Sequence, residues 1–227
     1  MQTYRVVGKP VTRVDAVEKV TARSVYGTDM VLPGILYGKV LRSPYAHARI
    51  VSVDTSRALA MPGVRAVLTG KDVPTNGMGT IKDQPILARG KVRYIGDAVA
   101  AVAADDEETA VRAVEAIEVE YEELPAVFDP REAMKKDAPL VHEEAGEKSD
   151  STFYARYQTI WRPMPGTNIC NHLVLKKGDL DKGFAEADSI FEDTFRTPMI
   201  HHCYMEPHAA VASVDGNGKP TVWTSTQ

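Results

Sequence analysis

Residues 98–123 spell out three consecutive elements and leave little freedom in how the chain around them can fold. Ala98-Val99-Ala100-Ala101-Val102-Ala103-Ala104 is a run of small apolar residues set between turn formers. It reads as a buried strand, with a short helix as the alternative. Asp105 is placed to cap a following helix, Glu107 and Glu108 suit its positive end, and Ala110, Val111, Val114 and Ile117 share one face. Val119 and Tyr121 then alternate with Glu118, Glu120 and Glu122, the pattern of a half-buried strand that ends at Leu124-Pro125. The helix is therefore expected to cover a sheet.

Upstream, residues 35–41 and 49–54 read as strands, with Ile50 among the buried candidates. Asp54 or Thr55 can cap a short helix over 56–61, Pro62-Gly63 stops it, and 64–69 returns as a strand. Residues 73–90 show no period and are expected as a surface loop before a strand at 91–95 and a turn at Gly96-Asp97. Charge and turn formers concentrate in 129–157, which is expected to be a linker or wrapping segment. Beyond it, 173–175 reads as a strand, Asp179 caps a short helix carrying Leu180, Phe184 and Ala187, and 189–195 reads as extended again. Residues 203–214 and 220–227 form a hairpin around Asp215-Gly216-Asn217-Gly218. That last strand signature runs to Gln227 with no cap or polar tail. It predicts either a longer polypeptide or a second chain that pairs with the strand.

Composition narrows the function classes. Lys plus Arg is 27 against 31 for Asp plus Glu, a net charge of −4, so no basic field gathers phosphates and nucleic acid is not an expected partner. The longest apolar run, 98–104, is far short of the roughly 20 residues that cross a bilayer, and the polar start lacks a signal core, so no membrane association and a cytoplasmic location are expected. Cys170 and Cys203 are too few for a disulfide framework.

Several groups invite chemistry and are better explained otherwise. His201, His202, Cys203 and His208, with Cys170 and His172 nearby, are zinc-type ligands. On an extended segment, however, His201 and Cys203 would face away from His202 and His208, and paired ligand spacing is absent. Asp179-Leu180-Asp181 lacks the glycine and terminal acid of a calcium loop. Glu118, Glu120, Glu122 and Glu123 fit a solvated strand face. No glycine-rich nucleotide loop and no nucleophile elbow occurs. From the residues alone, the chain is an α/β or α+β protein of two small domains with no complete active site.

Ordered segments across nearly the whole chain carry a resemblance. These are residues 14–22, 26–30, 38–48, 61–64 with 69–74, 92–97 and 119–125, then Gly178-Asp179 with Phe184, Ala187 and Asp188, Met205-Glu206-Pro207-His208, and Thr224-Ser225-Thr226-Gln227. Together they resemble the molybdenum-binding subunit of the xanthine dehydrogenase and aldehyde oxidase family. The resemblance implies an α+β fold in which an α/β hammerhead domain precedes an incomplete, N-terminal part of a molybdopterin-binding domain. Its expected divisions are an arm at 1–17, the hammerhead at 18–128, a linker at 129–157 and the start of the cofactor domain at 158–227.

The same resemblance assigns one cofactor-binding residue, Gln227, whose carboxamide hydrogen-bonds an oxygen ligand of the molybdenum in this family, a neutral outer contact. It assigns no catalytic residue and no protein metal ligand within the chain, because the family's glutamate general base is expected beyond residue 227. It implies molybdenum-molybdopterin, in the cytosine dinucleotide form, in the complete subunit. 2Fe-2S clusters and FAD are expected on partner subunits, giving a hetero-oligomer. It also implies oxidation of an aldehyde, a purine, another N-heterocycle or an aromatic acyl-CoA thioester with water as the oxygen source, the isolated chain being inactive. The alternative is a non-catalytic hammerhead module that docks on partner subunits.

Overall fold

The computed structural model describes residues 4–74, 78, 83–143 and 164–226. In chain order the elements are α1 (Ala16–Val20), a 3-10 turn (Gly27–Asp29), β1 (Tyr37–Arg42), β2 (Ala48–Asp54), α2 (Ser56–Leu59), β3 (Val64–Thr69), β4 (Lys91–Val92), β5 (Ala98–Ala104), α3 (Glu107–Glu115), β6 (Glu118–Glu123), α4 (Pro130–Ala133), α5 (Leu180–Glu186), β7 (Ala210–Val214) and β8 (Pro220–Thr224). They divide into two compact units, one of Ile35–Ala185 and one of Met1–Gly34 with Glu186–Gln227.

In the first unit the alanine run is a strand. β5 is the centre of an antiparallel sheet ordered β1-β5-β3, with Val40 opposite Ala101 and Val67 opposite Val102. Its small side chains let helices lie close, so Ala58 of α2, Ala100 and Val102 of β5, and Ala113 and Ile117 at α3 form one buried cluster. The other side of β5 offers Val99 to a second cluster with Ala48, Ala88 and Val92, which belongs to the sheet β4-β2-β6. One strand therefore seals two small cores.

α3 begins one residue later than the sequence implies. Asp105 is held in line with β5, its N–H donating to Gly63 O at 2.9 Å and its carboxylate taking two 2.7 Å bonds from Arg65. Asp106, with extended φ and ψ, is the cap: Oδ1 accepts from Thr109 N at 2.8 Å and Oδ2 from the Thr109 hydroxyl at 2.8 Å. The buried face shifts with it, so Thr109, Ala110 and Ala113 are buried while Val111 is exposed.

Two expectations around β4 are corrected. The loop over 73–90 is not all surface: Leu87 and Ala88 are buried, Ala88 N donates to Ala98 O at 2.6 Å, and the Arg89 guanidinium gives two bonds to Gly70 O at 2.9 and 2.7 Å. The strand expected over 91–95 stops at Val92, because Arg93–Asp97 folds back on the buried Asp97 carboxylate, which accepts from Arg93 N at 3.1 Å, with Gly96 at φ +92. β6 matches its pattern, with Val119 and Tyr121 half-buried. Its acids are fastened across to β2 and α2 by Glu122–Arg49 at 2.8 Å and Glu118–Arg57 at 2.6 Å. Asp129 caps α4 through Arg131 N and Glu132 N, and the Asn168 carboxamide ties Ala133 O, Pro139 O and Val141 N together.

Asp179 accepts from Lys182 N at 3.0 Å ahead of α5. The strand read at 173–175 does not form, since it carries no ladder and β propensity without a partner strand supplies no hydrogen bonds; the stretch 189–195 likewise pairs with no described strand. In the second unit the hairpin strand read from 203 begins only at Ala210. Cys203 sits at φ 51 and the chain bends at 205–206, so the segment 201–208 is a turn, not a strand. β7 and β8 pair with Val211 opposite Trp223, and Asp215 Oδ1 closes the turn by accepting from Asn217 N and Lys219 N, each at 2.9 Å.

Candidate functional site

The second unit brings the turn at 201–208 against the end of β8. Ser225, just past β8, continues the ladder by donating from its N–H to Ala209 O at 3.2 Å. Its hydroxyl accepts from Ala209 N at 3.0 Å and donates to Pro207 O at 3.1 Å. Thr226 N donates to Thr224 Oγ1 at 3.3 Å, and the two threonine hydroxyls meet at 3.2 Å. Behind Ala209 lies the 3-10 turn, where Gly27 is needed for close approach: a Cβ there would stand 3.1 Å from the Ala209 Cβ. The turn itself holds a row of rings, with His201 and Tyr204 centroids 5.6 Å apart and Tyr204 stacked on His208 at 4.5 Å, and His201 Nδ1 accepts from Cys203 N at 3.0 Å. Because the segment is bent, the two-faced strand geometry expected for its His and Cys residues does not arise. Among the described residues no three His, Cys, Asp or Glu side chains gather as a metal site, and Cys170 and Cys203 are exposed free thiols. Gln227, the one expected cofactor contact, lies outside the described residues.

The first unit holds a cleft of about 330 Å³ lined by His47, Arg93, Tyr94, Ile95, Pro125 and Phe128 among others. His47 is 7% exposed; its Nδ1 donates to Pro125 O at 2.7 Å, and its Nε2 is buried with no hydrogen-bond partner. Burial first, then the nearby Asp97 charge, pushes the Tyr94 phenol upward. Outside the cleft lining, Lys91 Nζ bonds both Glu143 oxygens at 2.7 and 2.6 Å and holds that carboxyl below its usual range. The lining offers apolar contact surface with a few polar atoms and no Ser, Cys or Lys nucleophile, so it is suited to binding rather than to bond breaking.

Sequence reasoning missed Ser225 and Asn168 as organising residues. Their partners lie 16 and 18 residues away for Ser225 and 27 to 35 away for Asn168, beyond any local pattern. A run of three hydroxyl residues, Thr224-Ser225-Thr226, within the expected last strand was the only available signal for Ser225.

A family model described as the aldehyde oxidase and xanthine dehydrogenase a/b hammerhead domain matches residues 21–125, and one for the molybdopterin cofactor-binding domain matches 163–227. The chain is 42% identical over 225 residues to a probable xanthine dehydrogenase subunit of Bacillus subtilis, covering 98% of this chain and 27% of that protein. It is 38% identical to the nicotinate dehydrogenase large molybdopterin subunit of Eubacterium barkeri, covering 99% of this chain and 48% of the other. Among solved structures, the reconstituted CO dehydrogenase from Oligotropha carboxidovorans aligns with a TM-score of 0.81 at 35% identity, covering 96% of this chain and 27% of that one. The chain thus spans between about a quarter and a half of the length of these relatives. It belongs to the xanthine dehydrogenase and aldehyde oxidase family, as an α/β hammerhead domain with part of a molybdopterin cofactor-binding domain.

The residues present fit a cofactor held by neutral outer contacts: the end of β8 carries only neutral side chains, Thr224, Ser225 and Thr226, whose hydroxyls bond the chain itself, and no group of described residues there would ligate a bare cation.

Proposed function

We propose that this chain is the N-terminal part of the catalytic molybdenum subunit of a molybdenum hydroxylase. In this reading 1–17 is an arm, 18–128 the hammerhead domain, 129–157 a linker and 158–227 the beginning of the cofactor-binding domain. The observation that carries it is the match of the cofactor-binding model through 163–227, the stretch in which Ser225 ties the end of β8 to Pro207 and Ala209. The chain alone is inactive, since it holds no general base in the matched pattern. The complete protein works with an iron-sulfur subunit carrying 2Fe-2S clusters and an FAD subunit, in the cytoplasm.

When bound, the molybdenum cofactor, in its cytosine dinucleotide form, supplies two-electron oxidation of a carbon to which an oxygen from water is added. The substrate class we assign first is a nitrogen heterocycle, supported by the relatives named for xanthine and nicotinate. The part of this chain is positional. Gln227 presents a carboxamide, a neutral donor that touches the cofactor without adding charge, and the hydroxyls of Thr224–Thr226 use their hydrogen bonds on the chain itself.

The test is Gln227→Ala in the assembled enzyme. Turnover should fall by about 10 to 100-fold, the usual cost of an outer contact to a metal group, with the molybdenum paramagnetic resonance signal altered. Wild-type turnover together with a wild-type signal would remove the assignment.

A further inference from the structure

We propose that Ser225 is a positioning residue for the cofactor contact, its hydroxyl fixing the direction in which the chain leaves β8 toward Gln227. The inference rests on the reading of Gln227 given above. A strand end past its last ladder pair ordinarily frays, because its backbone groups exchange partners with water. β8 ends at Thr224 and β7 begins at Ala210, so Ser225 and Ala209 face each other just outside the regular ladder.

Three bonds close that gap. Ser225 N–H donates to Ala209 O at 3.2 Å, and the hydroxyl both accepts from Ala209 N at 3.0 Å and donates to Pro207 O at 3.1 Å. A serine hydroxyl has one proton to give, and here it goes to Pro207 O while a lone pair takes the Ala209 N–H. Both directions of the group are fixed. The flanking hydroxyls do a different job: Thr224 and Thr226 bond each other and the Thr226 N–H, contacts two residues apart on exposed side chains. Of these three hydroxyl residues, Ser225 alone reaches across the hairpin to a distant stretch, and it is half-buried.

The stretch it grips is itself backed. Ala209 rests against the 3-10 turn at Gly27, where a Cβ would stand only 3.1 Å away. Ser225 therefore connects the chain just before Gln227 to a packed support. A long carboxamide side chain swings on three torsions, and a contact placed to within about 0.5 Å requires its backbone to be held by such a support.

The experiment uses the assembled enzyme with the complete subunit and reads two quantities that need no substrate: molybdenum per subunit, and the molybdenum paramagnetic resonance signal after dithionite reduction. Ser225→Ala should retain molybdenum and shift the signal in the same sense as Gln227→Ala. Ser225→Thr, which keeps the hydroxyl, should give the wild-type signal. The double variant should match Gln227→Ala alone, because Ser225 acts through that residue. A wild-type signal in Ser225→Ala beside a shifted Gln227→Ala overturns the Ser225 proposal alone, and so does a double variant whose changes add. A wild-type signal in Gln227→Ala overturns the reading beneath both. Should Ser225→Ala lose molybdenum altogether, Ser225→Cys preserves the volume with a weaker donor and must still show a partial shift; a wild-type signal there refutes the proposal.

Discussion

The two units of this chain hold short strands together by opposite means. In the unit of Ile35–Ala185 the buried residues among those described lie between Ser43 and Ile117, and the apolar ones centre on two clusters on either side of β5. In the unit of Met1–Gly34 and Glu186–Gln227 no described residue is buried, while Phe191 at 94%, Met199 at 100% and Met205 at 100% exposure stand in solvent. A two-stranded hairpin with so little burial is marginal in water. The end of β8 is held by the hydrogen bonds around Ser225 and by the close approach of Ala209 to the 3-10 turn at Gly27, not by a buried core. Apolar sequence alone does not make a core; it needs a second surface within reach.

The largest difference between the units should come from a charge placed in each. Val102 is 2% exposed at the centre of β5, so Val102→Asp buries a carboxylate with nothing to pair it and should cost more than about 4 kcal/mol, enough to abolish cooperative unfolding of this unit. Ile200 is 78% exposed, and Ile200→Asp should fall within about 0.5 kcal/mol of the parent. Denaturant unfolding of the 227-residue chain measures both, and equal losses would erase the contrast.

The same contrast explains how much could be read from the sequence. β3, β5 and β6 were legible almost residue for residue, because a period of two against one packed face, or a small-residue run between turns, favours a strand, although for β5 a short helix stayed open until its pairing with β1 and β3 decided it. α3 was legible in existence but displaced by one residue, since either aspartate can cap and only the Gly63 and Arg65 contacts decide which does. The failure at 173–175 falls where strand-like residues have no neighbouring strand among the described residues, a condition that no local pattern reports. The role of Gln227 came from family resemblance alone, and Ser225 became visible only once the hairpin placed Pro207 and Ala209 opposite it.

A second pair of substitutions tests packing without charge. Gly70 is buried beside the backbone of Ala88, and a Cβ there would stand 2.4 Å from Ala88 O, a main-chain atom that cannot swing aside. Gly70→Ala should cost about 1–3 kcal/mol as overpacking and loosen the grip of Arg89 on Gly70 O. Gly216, in the hairpin turn, meets nothing within 4 Å of such a Cβ, and Gly216→Ala should be close to neutral. Thermal unfolding of the two variants reads the difference, and a neutral Gly70→Ala would mean that the 87–89 stretch yields easily.

The smallest expected effect is on pH, and it turns on where an ion pair reaches rather than on how far it shifts a pKa. Asp15 is held at about 2, first by Lys19 and then by Arg13, yet both partners lie within four residues on an exposed arm. Such a contact can survive in a chain whose remainder is unfolded, so it contributes little to the difference between the two states. Glu143 is also held below its ordinary 4.5, chiefly by the bond from Lys91, and here the partners lie 52 residues apart with the Lys91 side chain only 11% exposed. A carboxyl whose folded pKa is depressed contributes stability that is present above its unfolded value and is lost as the pH falls through the folded one. Below about pH 4.5 the attachment of the 141–143 stretch to β4 should weaken, modestly, because the Glu143 side chain is 62% exposed and salt screens it. Glu143→Gln should flatten this acid limb, whereas Asp15→Asn should leave it in place. Unfolding midpoints taken from about pH 6 down to about 3 decide the matter. If Glu143→Gln tracks the parent while Asp15→Asn flattens the curve, reach is the wrong criterion and the arm contributes more to the folded state than its exposure implies.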